Sequence, residues 1–242
     1  MRIIIIRHAD PDYSVDGLTD KGKVEAALLA KRMSKEKVTA IYCSPLGRAR
    51  LTAEPTANAL GLNIETLGWL REFDYAAPKL PYDENHNRAW DLLPEFVAKE
   101  TNLYSPTEWK SCNSIRNTGI VEGYDYVTKS LDGLLKKHGY ERDGCNYKAI
   151  MSNHDTIVLF CHFGVSGVLL SHLLNCSPYT VWQHCAIAPS AVTVIYTEER
   201  RKGIASFRAQ SIGDISHLYA GNEEPSFAAR FCECYEDDTR KD

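Results

Sequence analysis

The sequence predicts a three-layer α/β/α fold, with a mostly parallel central sheet and an inserted, largely helical cap. Three observations carry this expectation. Ile3-Ile4-Ile5-Ile6 sets four β-branched residues in succession, the mark of a strand buried on both faces. Strand-like and helix-like patterns then alternate through the first third of the chain, as parallel strands with crossover helices require. Between about residues 75 and 150 the alternation stops, and it resumes with the apolar run Thr156 to Cys161.

Each element has a local reason. Leu18-Thr19-Asp20 opens a helix, with Thr19 as N-cap and Asp20 favourable in the first turn. Val24, Ala27 and Leu28 give that helix one apolar face. A second buried strand covers about Val38 to Cys43. Ser44-Pro45 restarts a helix, with Ser44 as N-cap and Pro45 at its first position. Ala49, Ala53, Ala57 and Leu60 form its inner face, Gly61 ends it, and Pro55 should kink or shorten it.

From about 75 to 150 strand signals fade and helix-like stretches appear near 86–99 and 119–138. The segment holds Trp90, Trp109 and seven of the chain's 13 tyrosines, too aromatic for a flexible linker. It reads as a cap packed over the carboxyl edge of the sheet, inside a single domain of 242 residues. Val165, Leu169 and Leu173 then lie along a helix, and Ala191 to Thr197 and Ile204 to Ala209 read as closing strands. From about Gly221 the acidic end lacks pattern, and weak order is expected there.

Composition narrows the function. A formal net charge of -4 argues against a general nucleic-acid or membrane-surface role. No apolar run approaches the roughly 18 residues of a membrane span, and Ile3 to Ile6 is too short for a signal-peptide core, so a cytoplasmic protein is expected. The eight cysteines are scattered without a CxxC pair and read as reduced thiols. Cys232 and Cys234 form a CxC in the acidic end, without zinc-spaced partners nearby.

Several motifs fail on inspection. Gly17 to Lys23 copies most of a Walker loop, but Val24 stands where Ser or Thr must hold magnesium. Gly164-Val165-Ser166-Gly167-Val168 lacks the last glycine of a serine-hydrolase elbow. A cysteine-phosphatase loop needs five residues between nucleophile and arginine, whereas Cys43 and Arg48 enclose four and Cys112 and Arg116 three.

What remains is a dispersed set of polar residues at strand ends. Arg7-His8 ends the first strand and delivers a guanidinium and an imidazole to the carboxyl edge, where open α/β sheets bind ligands. Arg48 starts the helix after the second strand. Glu72, within Leu70-Arg71-Glu72-Phe73-Asp74, precedes the cap, and His162 ends the strand Thr156 to Cys161. Singly each has a bland reading: a polar stop, a surface arginine, a solvated glutamate, a capping histidine. Together they meet at one sheet edge.

On these residues the chain resembles the histidine phosphatase superfamily, in its phosphoglycerate mutase-like branch. Arg7-His8-Ala9 stands where the family has Arg-His-Gly, and Leu18-Thr19-x-x-Gly22 matches a segment of its first helix. Ser44-Pro45-Leu46-Gly47-Arg48-Ala49-x-x-Thr52-Ala53 is similar to its second signature. Leu70-Arg71-Glu72 resembles the segment carrying its acid, and Cys161-His162-Phe163-Gly164 stands in the position of its late His-Gly. The resemblance covers roughly residues 1–74 and 154–198. Ala9 and Phe163 depart from family glycines; neither change removes a charged or nucleophilic atom.

The resemblance implies a phosphomonoesterase that uses no cofactor and no metal. His8 would attack phosphorus to give a phosphohistidine, its other ring nitrogen tied to an oxygen acceptor. Arg7, Arg48, His162 and the backbone N–H groups after Phe163 would hold the phosphoryl oxygens, His162 best as the imidazolium. Glu72, its pKa raised, would protonate the leaving alcohol and then activate water. The substrate would be a small organic phosphomonoester, and inorganic phosphate the product. A phosphoglycerate-type mutase, using Arg88 or Arg116 in the cap, and a non-catalytic phospholigand-binding protein are the alternatives. The oligomeric state is left open.

Overall fold

A computed structural model describes residues 1–75, 88–227 and 234–235. In chain order it holds β1 (Arg2–Arg7), β2 (Pro11–Asp12), β3 (Gly17–Leu18), α1 (Asp20–Met33), β4 (Ala40–Cys43), α2 (Gly47–Leu60) and β5 (Ile64–Thr66). After a 3-10 turn at Gly68–Leu70 come α3 (Pro94–Lys99), α4 (Ile120–Lys137), β6 (Tyr140–Asp143), β7 (Asn146–Ala149) and β8 (Thr156–Cys161). The chain continues through α5 (Phe163–Leu174), α6 (Pro178–His184), β9 (Val192–Arg201), β10 (Ile204–Asp214) and α7 (Ser216–Ala220).

One sheet of order β5-β4-β8-β1-β9-β10-β7-β6 organises the molecule. β5, β4, β8 and β1 run parallel, and β9, β10, β7 and β6 continue it antiparallel. The two-residue period of a strand divides the isoleucines of β1 between two cores. Ile3 and Ile5 join Ile157, Leu159 and the buried faces of α4, α5 and α6. Ile4 and Ile6 join Val158, Phe160, Leu29, Met33, Ala49 and Ala53 beneath α1 and α2. This gives the three layers expected of an α/β/α protein.

Thr19 caps α1 as expected, its side chain accepting from the Gly22 N–H. Gly61 ends α2 in the left-handed region at φ 65°. Two expectations about α2 need correction. The helix starts at Gly47 with Leu46 as N-cap, not at Pro45. Ser44 is not the N-cap: its N–H pairs with Phe160 O in the sheet, and its hydroxyl accepts from Leu46 N–H ahead of the helix and lies against His162. Pro55 sits within the helix without ending it. The bond it removes would reach the carbonyl of Leu51, a residue 43% exposed, where water can serve instead.

The end of the 75–150 segment also differs from its reading. Residues 140–149 form the hairpin β6–β7, turned at Gly144 (φ 60°), and extend the sheet. Short polar strands such as Tyr140-Glu141-Arg142-Asp143 carry no apolar alternation to announce them. The helix expected near 86–99 is observed at Pro94–Lys99, and its first residues, 86 and 87, lie outside the described ones. Trp109, Tyr124 and Val127 share a core cluster with Ile3 and Ile5, so this segment packs into the main body.

Helix α7 follows β10 without having been expected and packs on α1. Beyond it, Glu223 pairs with Lys21, and the Ser226 hydroxyl donates to Asp10. Residues 228–233 and 236–242, including Cys232 of the CxC pair, lie outside the described residues, and Cys234 is exposed. Among the described residues no helix is long and apolar enough to cross a membrane.

Candidate active site

Strand register creates the centre of the site. β1 and β8 pair in parallel with Arg7 opposite Cys161, so the next residues, His8 and His162, leave the sheet side by side. His8 N–H donates to Cys161 O at 2.9 Å, and the two imidazole centroids lie 5.1 Å apart. His8 is 1% exposed and His162 0%.

The backbone selects the tautomer of His8. Its Nδ1 lies 2.8 Å from Ala9 O, and a carbonyl can only accept, so Nδ1 carries the proton. Nε2 is left with its lone pair. Burial, and then the Arg7 guanidinium, hold the imidazole well below its usual pKa, and His8 is neutral. Ala9, in place of a family glycine, has no positive φ and packs with Leu18 and Ala26.

Two guanidiniums flank this ring. Arg7 is 4% exposed, donates from Nη1 to Ile187 O at 2.6 Å, and lies 5.8 Å from the Phe163 ring centroid. Arg48, brought in by the first turn of α2, pairs through Nη1 with Asp16 Oδ1 at 2.5 Å. The Nε atoms of both arginines are buried and lack a hydrogen-bond partner among the described residues. Thr52 ties the two elements together, donating to Arg48 O at 2.7 Å and accepting from Ala9 N–H at 2.9 Å.

Asp16, which sequence reasoning missed, buttresses Arg48. It adopts φ 48°, and its Oδ2 accepts from Gly47 N–H at 2.6 Å. Burial opposes its charge, yet the Gly47 N–H and Arg48 hold its carboxyl below the ordinary range. Gly47 is required here, since a Cβ would come within 2.2 Å of Asp16 O. A loop aspartate without a repeating pattern gives no signal for this pairing in the sequence.

Glu72 lies at the other side of the pair of histidines. Its Oε1 accepts from Phe73 N–H at 2.7 Å and from Val165 N–H, in the first turn of α5, at 3.2 Å. Burial raises its pKa despite those N–H groups and the charge of Arg7. Trp90, another residue whose place the sequence did not disclose, closes this side. Its indole stands edge-on to Phe163 at 5.5 Å, with its Nε1 buried and unpartnered. Gly164 makes room for both: a Cβ there would lie 2.5 Å from Trp90 Cδ1 and 2.8 Å from Glu72 Oε1.

Burial first, then His8, Arg48, Arg7 and Arg71, hold the ligand-free His162 well below its usual pKa and disfavour the imidazolium. Its Nε2 lies 2.8 Å from Ser44 Oγ, while Nδ1 is buried and has no partner among the described residues. Phe163 opens α5, placing that helix's first N–H groups next to the histidines. The Ser166 hydroxyl donates to His162 O at 2.6 Å within the first turn of α5 and is not poised as a nucleophile. Arg88 and Arg116 are exposed and bond to the Asp74 and Ser111 carbonyls.

Known proteins bear on this geometry. The family profile of the histidine phosphatase superfamily (branch 1) matches residues 3–117. Phosphoserine phosphatase 1 of Hydrogenobacter thermophilus is 33% identical over 213 residues, spanning 84% of this chain and 90% of that protein. Among solved structures, a phosphoserine phosphatase variant from Entamoeba histolytica in complex with phosphoserine superposes with a TM-score of 0.61. It is 17% identical, covering 90% of this chain and 98% of that one. A mycobacterial glucosyl-3-phosphoglycerate phosphatase gives a TM-score of 0.60 at 16% identity, covering 88% and 98%. Sheet order, paired histidines and profile agree: the chain belongs to the histidine phosphatase superfamily and falls with its phosphatases.

Proposed function

We propose that this protein hydrolyses a small organic phosphomonoester through a phosphohistidine formed on His8, without a metal. One observation carries the reading: a neutral His8, its Nδ1–H bonded to Ala9 O, keeps the Nε2 lone pair free between two arginines and a second histidine. Arg7 and Arg48, the latter while paired with Asp16, donate hydrogen bonds to the phosphoryl oxygens in the place a metal cation would otherwise take. His8 Nε2 attacks phosphorus and the bond to the leaving oxygen breaks. Glu72, protonated, gives its proton to that oxygen. The Glu72 carboxylate then takes a proton from water, the new P–O bond forms, and the P–N bond breaks to release phosphate. Neutral His8 and protonated Glu72 are restored.

The leaving group would lie against Phe163 and Trp90, beside Glu72, under residues of the 75–150 segment. The relative from Hydrogenobacter makes phosphoserine the first substrate to assay. The expected result is release of inorganic phosphate by the wild type and its loss in His8→Ala. Unchanged hydrolysis in that variant contradicts the reading. Interconversion of phosphoglycerate isomers without phosphate release would favour the mutase alternative. The pH profile has a defined sign. Because burial depresses His8, the free lone pair persists well below pH 6.5, and because burial raises Glu72, its proton persists above the usual carboxylate range.

A further inference from the structure

Ser44 and His162 are both 0% exposed, and their hydrogen bond leaves two protons to place. Leu46 N–H donates to Ser44 Oγ at 3.2 Å, so the hydroxyl already accepts once and needs an acceptor for its own proton. Among the described residues, that acceptor is His162 Nε2 at 2.8 Å. With the serine donating, the proton of the neutral ring sits on Nδ1. The reverse arrangement leaves the hydroxyl proton without an acceptor and makes Nδ1 a bare lone pair in a dry site.

We propose that Ser44 is a positioning residue that holds His162 as the neutral Nδ1–H tautomer, supplying the phosphoryl site with a hydrogen-bond donor without an imidazolium. This rests on the phosphoryl-transfer reading for what the donor serves, but its geometry stands independently. The charged and titratable groups that act most strongly on His162 point the same way. His8 and Arg7 after and within β1, Arg48 on α2, and Arg71 after the 3-10 turn all disfavour a second proton on the ring. A lone pair at Nδ1 would repel a phosphoryl oxygen, so the tautomer decides whether His162 attracts or opposes the ligand. Ser44 sits in the strand-to-helix signature, yet it acts through the late histidine rather than on the helix.

The test is nitrogen-15 NMR of the full chain with labelled histidine, the His162 signals being assigned by their loss in His162→Gln. The wild type, free of ligand, is expected to show a protonated Nδ1 and an unprotonated Nε2 on His162 from pH 6 to 8. A proton on Nε2, or on both nitrogens at pH 6, would overturn the proposal. Tungstate, a dianion of constant charge over that range, supplies the second measurement. Its affinity for the wild type is expected to be flat with pH. Ser44→Ala should lose the pure Nδ1–H signature and bind tungstate roughly tenfold more weakly. Unaltered tautomer and affinity in Ser44→Ala would also overturn it. Neither measurement involves turnover, so a protein that gave these results but hydrolysed nothing would refute the proposed function and leave this inference standing.

Discussion

The two sides of His8 are built on different principles. On the proposed mechanism the phosphate side comprises Arg7, His162, Ser44 and Arg48, which stand on strand ends and one helix start held by sheet register. Arg7 is tied to Ile187 O and Ser44 N–H to Phe160 O, while Arg48 and His162 are held by the Asp16 carboxylate and the Ser44 hydroxyl. On the same mechanism the leaving-group side comprises Glu72, Trp90, Phe163 and Gly164, gathered from a residue after a 3-10 turn, one beyond the 76–87 segment, and a helix start. Glu72 is fixed by the Phe73 and Val165 N–H groups, and Trp90 and Glu72 pack closely about Gly164. One side has its geometry fixed by topology, and the other has a shape that substitution can change. A phosphatase needs this division, because every substrate shares the phosphate and differs in the leaving group.

Changes on the leaving-group side should therefore separate chemistry from phosphate binding. Glu72→Gln is expected to lower kcat on alkyl phosphates by about 10²- to 10⁴-fold while sparing aryl phosphates, whose leaving groups need no proton. Equal losses on both would remove Glu72 from the acid role. Gly164→Ala forces a Cβ against Trp90 and Glu72. A loss of roughly 10- to 100-fold in turnover of alkyl phosphates is expected, with tungstate affinity nearly unchanged. A comparable loss of tungstate binding would show that the two sides are not separable.

On the phosphate side, Asp16→Asn removes the charge that buttresses Arg48 while keeping an acceptor for Gly47 N–H. KM should rise by about threefold to tenfold, with kcat changed less, as expected when one charge-assisted contact is weakened. A drop in kcat alone would contradict the assignment.

Glu25 gives the smallest effect and bears on stability. It is 0% exposed, and its Oε2 accepts from Asp10 N–H at 2.8 Å, two residues after His8. Burial raises its carboxyl from the ordinary 4.5 to about 7. The folded state thus binds the proton more tightly than the unfolded state. The stabilisation is complete below pH 4.5 and is lost as pH rises through about 7. Glu25→Gln should leave thermal stability near that of the wild type at pH 5 and exceed it at pH 8, by up to about 3 kcal/mol. Equal differences at both pH values would show that Glu25 does not titrate in this way.

The same contrast explains what could be read in advance. The apolar runs Ile3 to Ile6 and Thr156 to Cys161 fix two neighbouring strands, and their ends place His8 and His162 without further information. Residues that answer to three-dimensional partners leave no such trace. Ser44 looked like a helix cap because Ser-Pro usually is one, but its hydroxyl is claimed by His162 from 118 residues away. Asp16 and Trp90 belong to segments without periodicity, so neither could be assigned before the loops were seen. The hairpin Tyr140 to Ala149 escaped notice because polar edge strands bury one residue in two at most.

The central claim is that His8 becomes covalently phosphorylated during turnover. Rapid quench into alkaline denaturant after mixing with a labelled phosphomonoester, followed by digestion and mass analysis near neutral or alkaline pH, tests it most directly. The account predicts an acid-labile phosphate on the peptide carrying His8, present in the wild type, accumulating with poor access of water, and absent from His8→Ala. Steady hydrolysis by the wild type with no such intermediate, or a phosphopeptide that persists in His8→Ala, would contradict it.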